Sequence, residues 1–214
     1  MEKQRGFFWF ILFCAIVMLI PVYFWLSLIS WNLSSVNLYY LFPLLGMLAF
    51  SLMWIQTVVG TFDNKFGQIF SLERFYSITG LSVLILFVSH PLLASFAQWR
   101  SGSGLLLQSL FNLVESDNKI FLILGMTAFT IFILYEFVPR LSKFDIIRKI
   151  APVFQWLSYL GVILVWIHSI NLGTHLQTGA LKYIWMFYGI SAIAMFLYSQ
   201  VYLRFASKIG ENKK

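Results

Sequence analysis

The chain has 214 residues, of which 60% are hydrophobic, 19% aromatic and only 11% charged. That composition excludes an ordinary soluble domain and describes an all-α integral membrane protein, with no room left for a separate soluble catalytic domain. The net charge of +7 would suggest nucleic acid in a soluble protein; here the basic residues are read as markers of cytoplasmic loops, and the lipid bilayer, not nucleic acid, is the expected partner.

Six apolar segments follow one another, at residues 7–29, 39–61, 75–98, 120–138, 152–170 and 183–202. Each is close to the roughly 20 residues that cross a bilayer as helix. The first follows Lys3 and Arg5, as a secretory signal would, but it is long enough to span and no small-x-small cleavage pattern comes after it. It is read as an uncleaved helix. Cys14 lies within it and is the only cysteine, which excludes an intramolecular disulfide, an iron–sulfur cluster and a cysteine-based zinc site. Pro21, Pro43, Pro91 and several glycines interrupt the segments, as membrane helices tolerate. Trp31, Tyr39, Tyr40, Trp99, Tyr183 and Tyr202 cluster near segment ends, as interfacial aromatic belts do.

The N-terminus, the second and fourth connections and the C-terminal tail together carry twelve Lys and Arg, against Arg100, Lys119 and Lys182 on the other side. This asymmetry predicts a six-helix bundle with both termini cytoplasmic. No internal repeat, linker or domain boundary is evident, so residues 1–214 are read as a single transmembrane domain.

With that orientation the third and fifth segments both run outward, and each holds a histidine deep in apolar sequence. His90 lies 15 residues beyond Phe75, and His168 lies 16 beyond Pro152. At about 1.5 Å per residue each is about 22–24 Å from its segment start, at matching depth in the outer half of the bilayer. An intramembrane ionisable residue is costly and usually functional. Two opposed imidazoles suit the axial positions of a haem, an arrangement for electron transfer. Zinc is disfavoured, because no cysteine and no carboxylate stands at that depth to complete four ligands. The plainer account is that each histidine only hydrogen-bonds within the bundle. Gly161, two turns before His168, would leave room for a flat macrocycle. Pro91 frees the carbonyl near Phe87 and predicts a bend beside the ligand.

Ile55-Gln56, then Phe70-Ser71-Leu72-Glu73-Arg74-Phe75-Tyr76 leading to Gly80 and His90-Pro91-Leu92-Leu93, resembles the ferric reductase-like transmembrane family. Trp156 to Tyr159, then Ile167-His168 and Asn171-Leu172-Gly173, is similar to its fifth helix and the turn after it. The resemblance covers about residues 40–205. It implies a six-helix core that carries electrons across the membrane through b-type haem between the third and fifth helices. Two-haem members have a further histidine pair 13 or 14 residues nearer the cytoplasm; here those positions hold Tyr76 and Gln155. The chain thus resembles the single-haem branch, which includes the haem membrane subunit of the methionine sulfoxide reductase system. By analogy, a flavin or quinone near Tyr76, Gln155 and the basic connection between the fourth and fifth segments would bridge the inner leaflet. No nicotinamide-binding fingerprint or flavin domain follows the sixth segment, so the expected donor is a cytoplasmic flavin reductase or a quinol.

Arg100 and Lys182 are read either as partners of haem propionates or as interfacial anchors. His175 lies in the outer connection, as a solvated histidine or one at the haem edge. Glu136 and Arg140 have the spacing of a helical ion pair, with proton or quinol handling as the sharper alternative. Gln56 is read as an interhelical hydrogen bond. The sequence therefore predicts an oxidoreductase or its electron-transfer subunit in a cell membrane, of the bacterial inner or plasma membrane type. One haem b, on His90 and His168, would deliver electrons to ferric iron, oxygen or a partner oxidoreductase outside. A haem-free scaffold subunit and a small-solute transporter are the alternatives.

Overall fold

A computed structural model describes residues 2–102, 104, 106–140 and 145–202, with residues 106–107, 136–140, 145–152, 154–155 and 200–202 described through their backbone alone. The described residues are helical, with no strand among them. The long helices are α1 (Glu2–Leu28), α2 (Leu38–Thr61), α4 (Leu72–Arg100), α6 (Lys119–Arg140), α7 (Asp145–Leu172) and α8 (Gly179–Phe196). Two short helices lie in connections, α3 (Asp63–Phe66) and α5 (Leu106–Asn112). All six apolar segments are thus helical. Five helices among the described residues are long and apolar enough to cross a membrane. In α7 the described apolar stretch is Trp156–Leu172.

The sequence marks the starts of these helices through their caps. Asn37 accepts from the backbone amides of Tyr39 and Tyr40 at 2.9 and 3.3 Å, and Ser71 accepts from that of Arg74 at 3.3 Å. These bonds satisfy amides that have no partner inside the helix. Between α1 and α2 the chain turns at Ser30 and Trp31, both left-handed with φ of 52° and 59°. Trp25 then ties the end of α1 to the start of α2, its indole donating to the Tyr40 carbonyl at 2.6 Å.

Two antiparallel hairpins form the centre, α2 with α4 and α6 with α7; α1 packs on α2, and α8 packs against α2 and α7. In a bilayer the lipid is as apolar as leucine, so helices associate through close packing over small residues and through interhelical hydrogen bonds. Both devices are present. Ala49 and Ala128 have no exposed surface, and Ala94, Ser95 and Ala97 of α4 are buried. Between α2 and α4 the Tyr39 hydroxyl donates to the Ala97 carbonyl at 3.1 Å near one end. Gln56, expected to bond between helices, donates to the Thr79 hydroxyl at 2.9 Å toward the other. The short α5, which the sequence does not announce, folds back on α4, where the buried Ser109 hydroxyl donates to the Ser95 carbonyl at 3.1 Å. The hydroxyl of Trp54's bonding partner, Ser191, holds α2 to α8 at 2.8 Å, while the Trp54 ring stacks on Tyr188 at 4.3 Å.

A candidate two-histidine site

His90 stands on α4 and His168 on α7, one in each central hairpin. The Nδ1 of His90 lies 2.7 Å from the backbone carbonyl of Phe42 on α2. The Nδ1 of His168 lies 2.8 Å from that of Phe121 on α6. A carbonyl only accepts, so each Nδ1 carries the proton and each neutral imidazole keeps its lone pair on Nε2. Among the described residues no hydrogen bond reaches either Nε2. This is the state a metal-binding imidazole needs, with one nitrogen tied back and the other ready to donate electrons.

Two glycines make these approaches possible. A Cβ on Gly46 would stand 3.0 Å from the Cε1 and Nδ1 of His90, and one on Gly125 would overlap the His168 ring. Each glycine lies one helical turn beyond the accepting carbonyl, so the Nδ1–Cε1 side of the imidazole comes close against the backbone of the neighbouring helix. The sequence reading missed both glycines and both phenylalanine carbonyls.

The two acceptors occupy like places: Phe42 and Phe121 both lie within about the first turn of their helices, α2 beginning at Leu38 and α6 at Lys119. α7 itself begins at Asp145, seven residues before its apolar segment. Phe87, one turn before His90, stacks on Phe129, one turn after Gly125, with ring centroids 5.7 Å apart and an 11° angle. That stack joins the two hairpins about one helical turn from His90. The two imidazoles lie within electrostatic reach of each other.

The remaining predicted positions are distributed around this pair. Gly161 is buried against α6, where a Cβ would stand 3.0 Å from the Phe132 ring and 3.4 Å from Ile131; it lets α7 and α6 approach closely. Arg100 in the last turn of α4 and Lys182 in the first turn of α8 are exposed. Tyr76, one end of α4 away from His90, turns its hydroxyl toward the Gln56 carbonyl at 3.5 Å, over Gly60. Tyr135 of α6 and Tyr159 of α7 lie within electrostatic reach of it. The side chains of Gln155, Glu136 and Arg140 lie outside the described residues, as does the connection at 141–144. α4 continues as helix through Pro91. His175 is in the short turn Thr174–Leu176, half-buried, and burial lowers its pKa below the usual histidine range.

α8 holds the histidine end of α7 in place. Gly189 receives the Trp166 ring, whose indole donates to the Trp185 carbonyl at 3.0 Å. The fully buried Trp185 in turn donates to the Ser169 hydroxyl at 2.9 Å. These two bonds bracket His168 on α7.

No three His, Cys, Asp or Glu side chains converge to hold a metal ion among the described residues. A bare ion needs such a set, whereas a metal macrocycle brings its own four nitrogens and needs only axial donors. Two imidazoles, one from each hairpin and each with its Nδ1 tied to a backbone carbonyl, have the donor chemistry of that second requirement. No protein-family model, curated protein or solved structure matches the chain.

Proposed function

We propose that the chain is a b-type cytochrome of ferric reductase-like type, passing electrons across a membrane through one haem b held by His90 and His168. The observation that supports this most is the duplicated ligand geometry: each Nδ1–H is bound to a backbone carbonyl, and each Nε2 is left as the donor atom. His90 and His168 would hold the haem, which would supply one-electron transfer there. The protein holds the ligands, excludes water and sets the potential through these hydrogen bonds and its apolar surroundings.

In this reading the six long helices span, with both termini on the cytoplasmic side. Arg100 and Lys182, exposed at helix ends, face the haem propionates or the interface. Tyr76 and Gln155 flank an inner site for flavin or quinone, supplied by a cytoplasmic flavin reductase or a quinol. Electrons leave on the outer face to ferric iron, oxygen or a partner oxidoreductase. The protein acts as a membrane oxidoreductase or its electron-transfer subunit, in a bacterial inner or plasma membrane.

A reduced-minus-oxidised visible spectrum of the detergent-purified protein tests this. The wild type should show a sharp low-spin b-type α band, and both His90→Ala and His168→Ala should lose it. A flat spectrum from folded, haem-supplemented protein would overturn the proposal and leave a scaffold or transporter role.

A further inference from the structure

The two histidines are presented by the same local device, and its sequence is repeated. Residues 42–51 read FPLLGMLAFS and residues 121–130 read FLILGMTAFT, with six of ten positions identical and the last pair Ser and Thr. Chance apolar similarity between membrane helices would not also reproduce the roles of these residues, and here it does. Phe42 and Phe121 each supply the accepting carbonyl, and their histidines follow 48 and 47 residues later. Gly46 and Gly125 each make the space for the ring. Ala49 and Ala128 are each without exposed surface. The sequence reading of a chain without internal repeats is corrected on this point: the strands of similarity are short, and the shared geometry reveals them.

We infer that α2–α4 and α6–α7 are two equivalent half-sites, in which Gly46 and Gly125 are positioning residues that hold His90 and His168 against the Phe42 and Phe121 carbonyls. Both hairpins enter the site in the same order, acceptor helix first and histidine helix second. They are related as parallel repeats, by an axis running along the bundle between them, as repeated units of other membrane proteins are. The ligand that suits such a frame presents the same donor demand on two opposite sides. The inference rests on the haem reading for the identity of that ligand, and on the helix geometry alone for the equivalence.

The consequences are specific because the glycines touch different rings. Adding a methyl group at Gly46 presses on His90 at 3.0 Å, a contact that a shift of a few tenths of an ångström relieves. Adding one at Gly125 forces the His168 ring off the Phe121 carbonyl. Gly125→Ala should therefore be the more severe variant, retaining haem about 10- to 100-fold more weakly, as loss of a ligand's supporting bond does. Gly46→Ala should keep haem while shifting its midpoint potential and the g-values of the ferric state.

The test that does not depend on haem is nitrogen NMR of the haem-free full chain, labelled at histidine with 15N. His90→Gln and His168→Gln assign the signals. Both imidazoles should be protonated on Nδ1 and unprotonated on Nε2 in the wild type. Gly46→Ala should move only the His90 signals, and Gly125→Ala only those of His168. An Nε2-protonated ring in the wild type, or glycine variants that leave their own histidine unmoved, would overturn the inference. Should Gly125→Ala fail to fold, the wild-type tautomers and the milder Gly46→Ala still decide. Correct tautomers in a chain that never takes up haem would remove the haem reading and keep the half-sites; haem uptake indifferent to both glycines would do the reverse.

Discussion

At the scale of single residues, the informative contrast is between what a histidine signals and what a glycine signals. His90 and His168 stand out in any reading, because an imidazole in apolar sequence demands a partner. Gly46 and Gly125 do not, because glycine is common in membrane helices and its reason is a neighbour far along the chain. The third histidine gives a separate prediction. Burial lowers the pKa of His175 below its unfolded value of 6.5, so the folded state resists its protonation. Its contribution to stability is therefore complete above about pH 6.5 and is lost as pH falls from there toward the folded-state pKa. His175→Gln should flatten the acid side of the thermal midpoint against pH profile relative to wild type. Equal slopes for the two proteins between pH 5 and pH 7, about the span over which a histidine changes charge, would show that the turn carries no such effect.

At the scale of elements, α8 decides where the end of α7 sits. Trp166 enters α8 over Gly189, and its indole bond to Trp185 closes the contact. A methyl group at Gly189 would overlap the Trp166 ring, so Gly189→Ala overpacks this interface and should destabilise the fold by about 1–3 kcal/mol. A fluorescence-monitored melt in detergent would register this as a lowered midpoint; an unchanged midpoint would mean that α7 and α8 can part without cost. Because Trp166 is two residues before His168, the same variant should also weaken haem retention in the proposed cytochrome. Pro91 removes a hydrogen bond beside His90, and α4 runs through it as helix from Leu72 to Arg100, supported by the packing of α2 along it.

At the scale of the whole molecule, charge and packing carry different information. Five helices among the described residues have the length and hydropathy of spans, and large side chains such as Phe8, Leu19, Ile85 and Phe187 are more than half exposed on the bundle, as lipid-facing residues are. Orientation comes instead from the twelve-to-three bias of basic residues. It predicts that a fluorescent-protein fusion at the C-terminus is bright in the cytoplasm while an alkaline phosphatase fusion there is inactive. An active phosphatase fusion would invert the bundle and place the histidines near the inner face. The proposed direction of electron flow would then be reversed.

The six helical segments and the two outstanding histidines were legible in the chain because hydropathy and isolated polarity are local properties that need no neighbour. The charge bias likewise predicts an orientation from composition alone. The site itself was not legible in this way. Which carbonyl takes each Nδ1 proton, which glycine admits each ring and how the Phe87–Phe129 stack joins the hairpins depend on residues 42 or more positions apart meeting across helices. Even the F-x-x-L-G-M-x-A-F repeat is hidden among ordinary apolar sequence until the tertiary structure gives both copies the same task. Close packing against a helix backbone is a property of two segments together, and neither segment contains it alone.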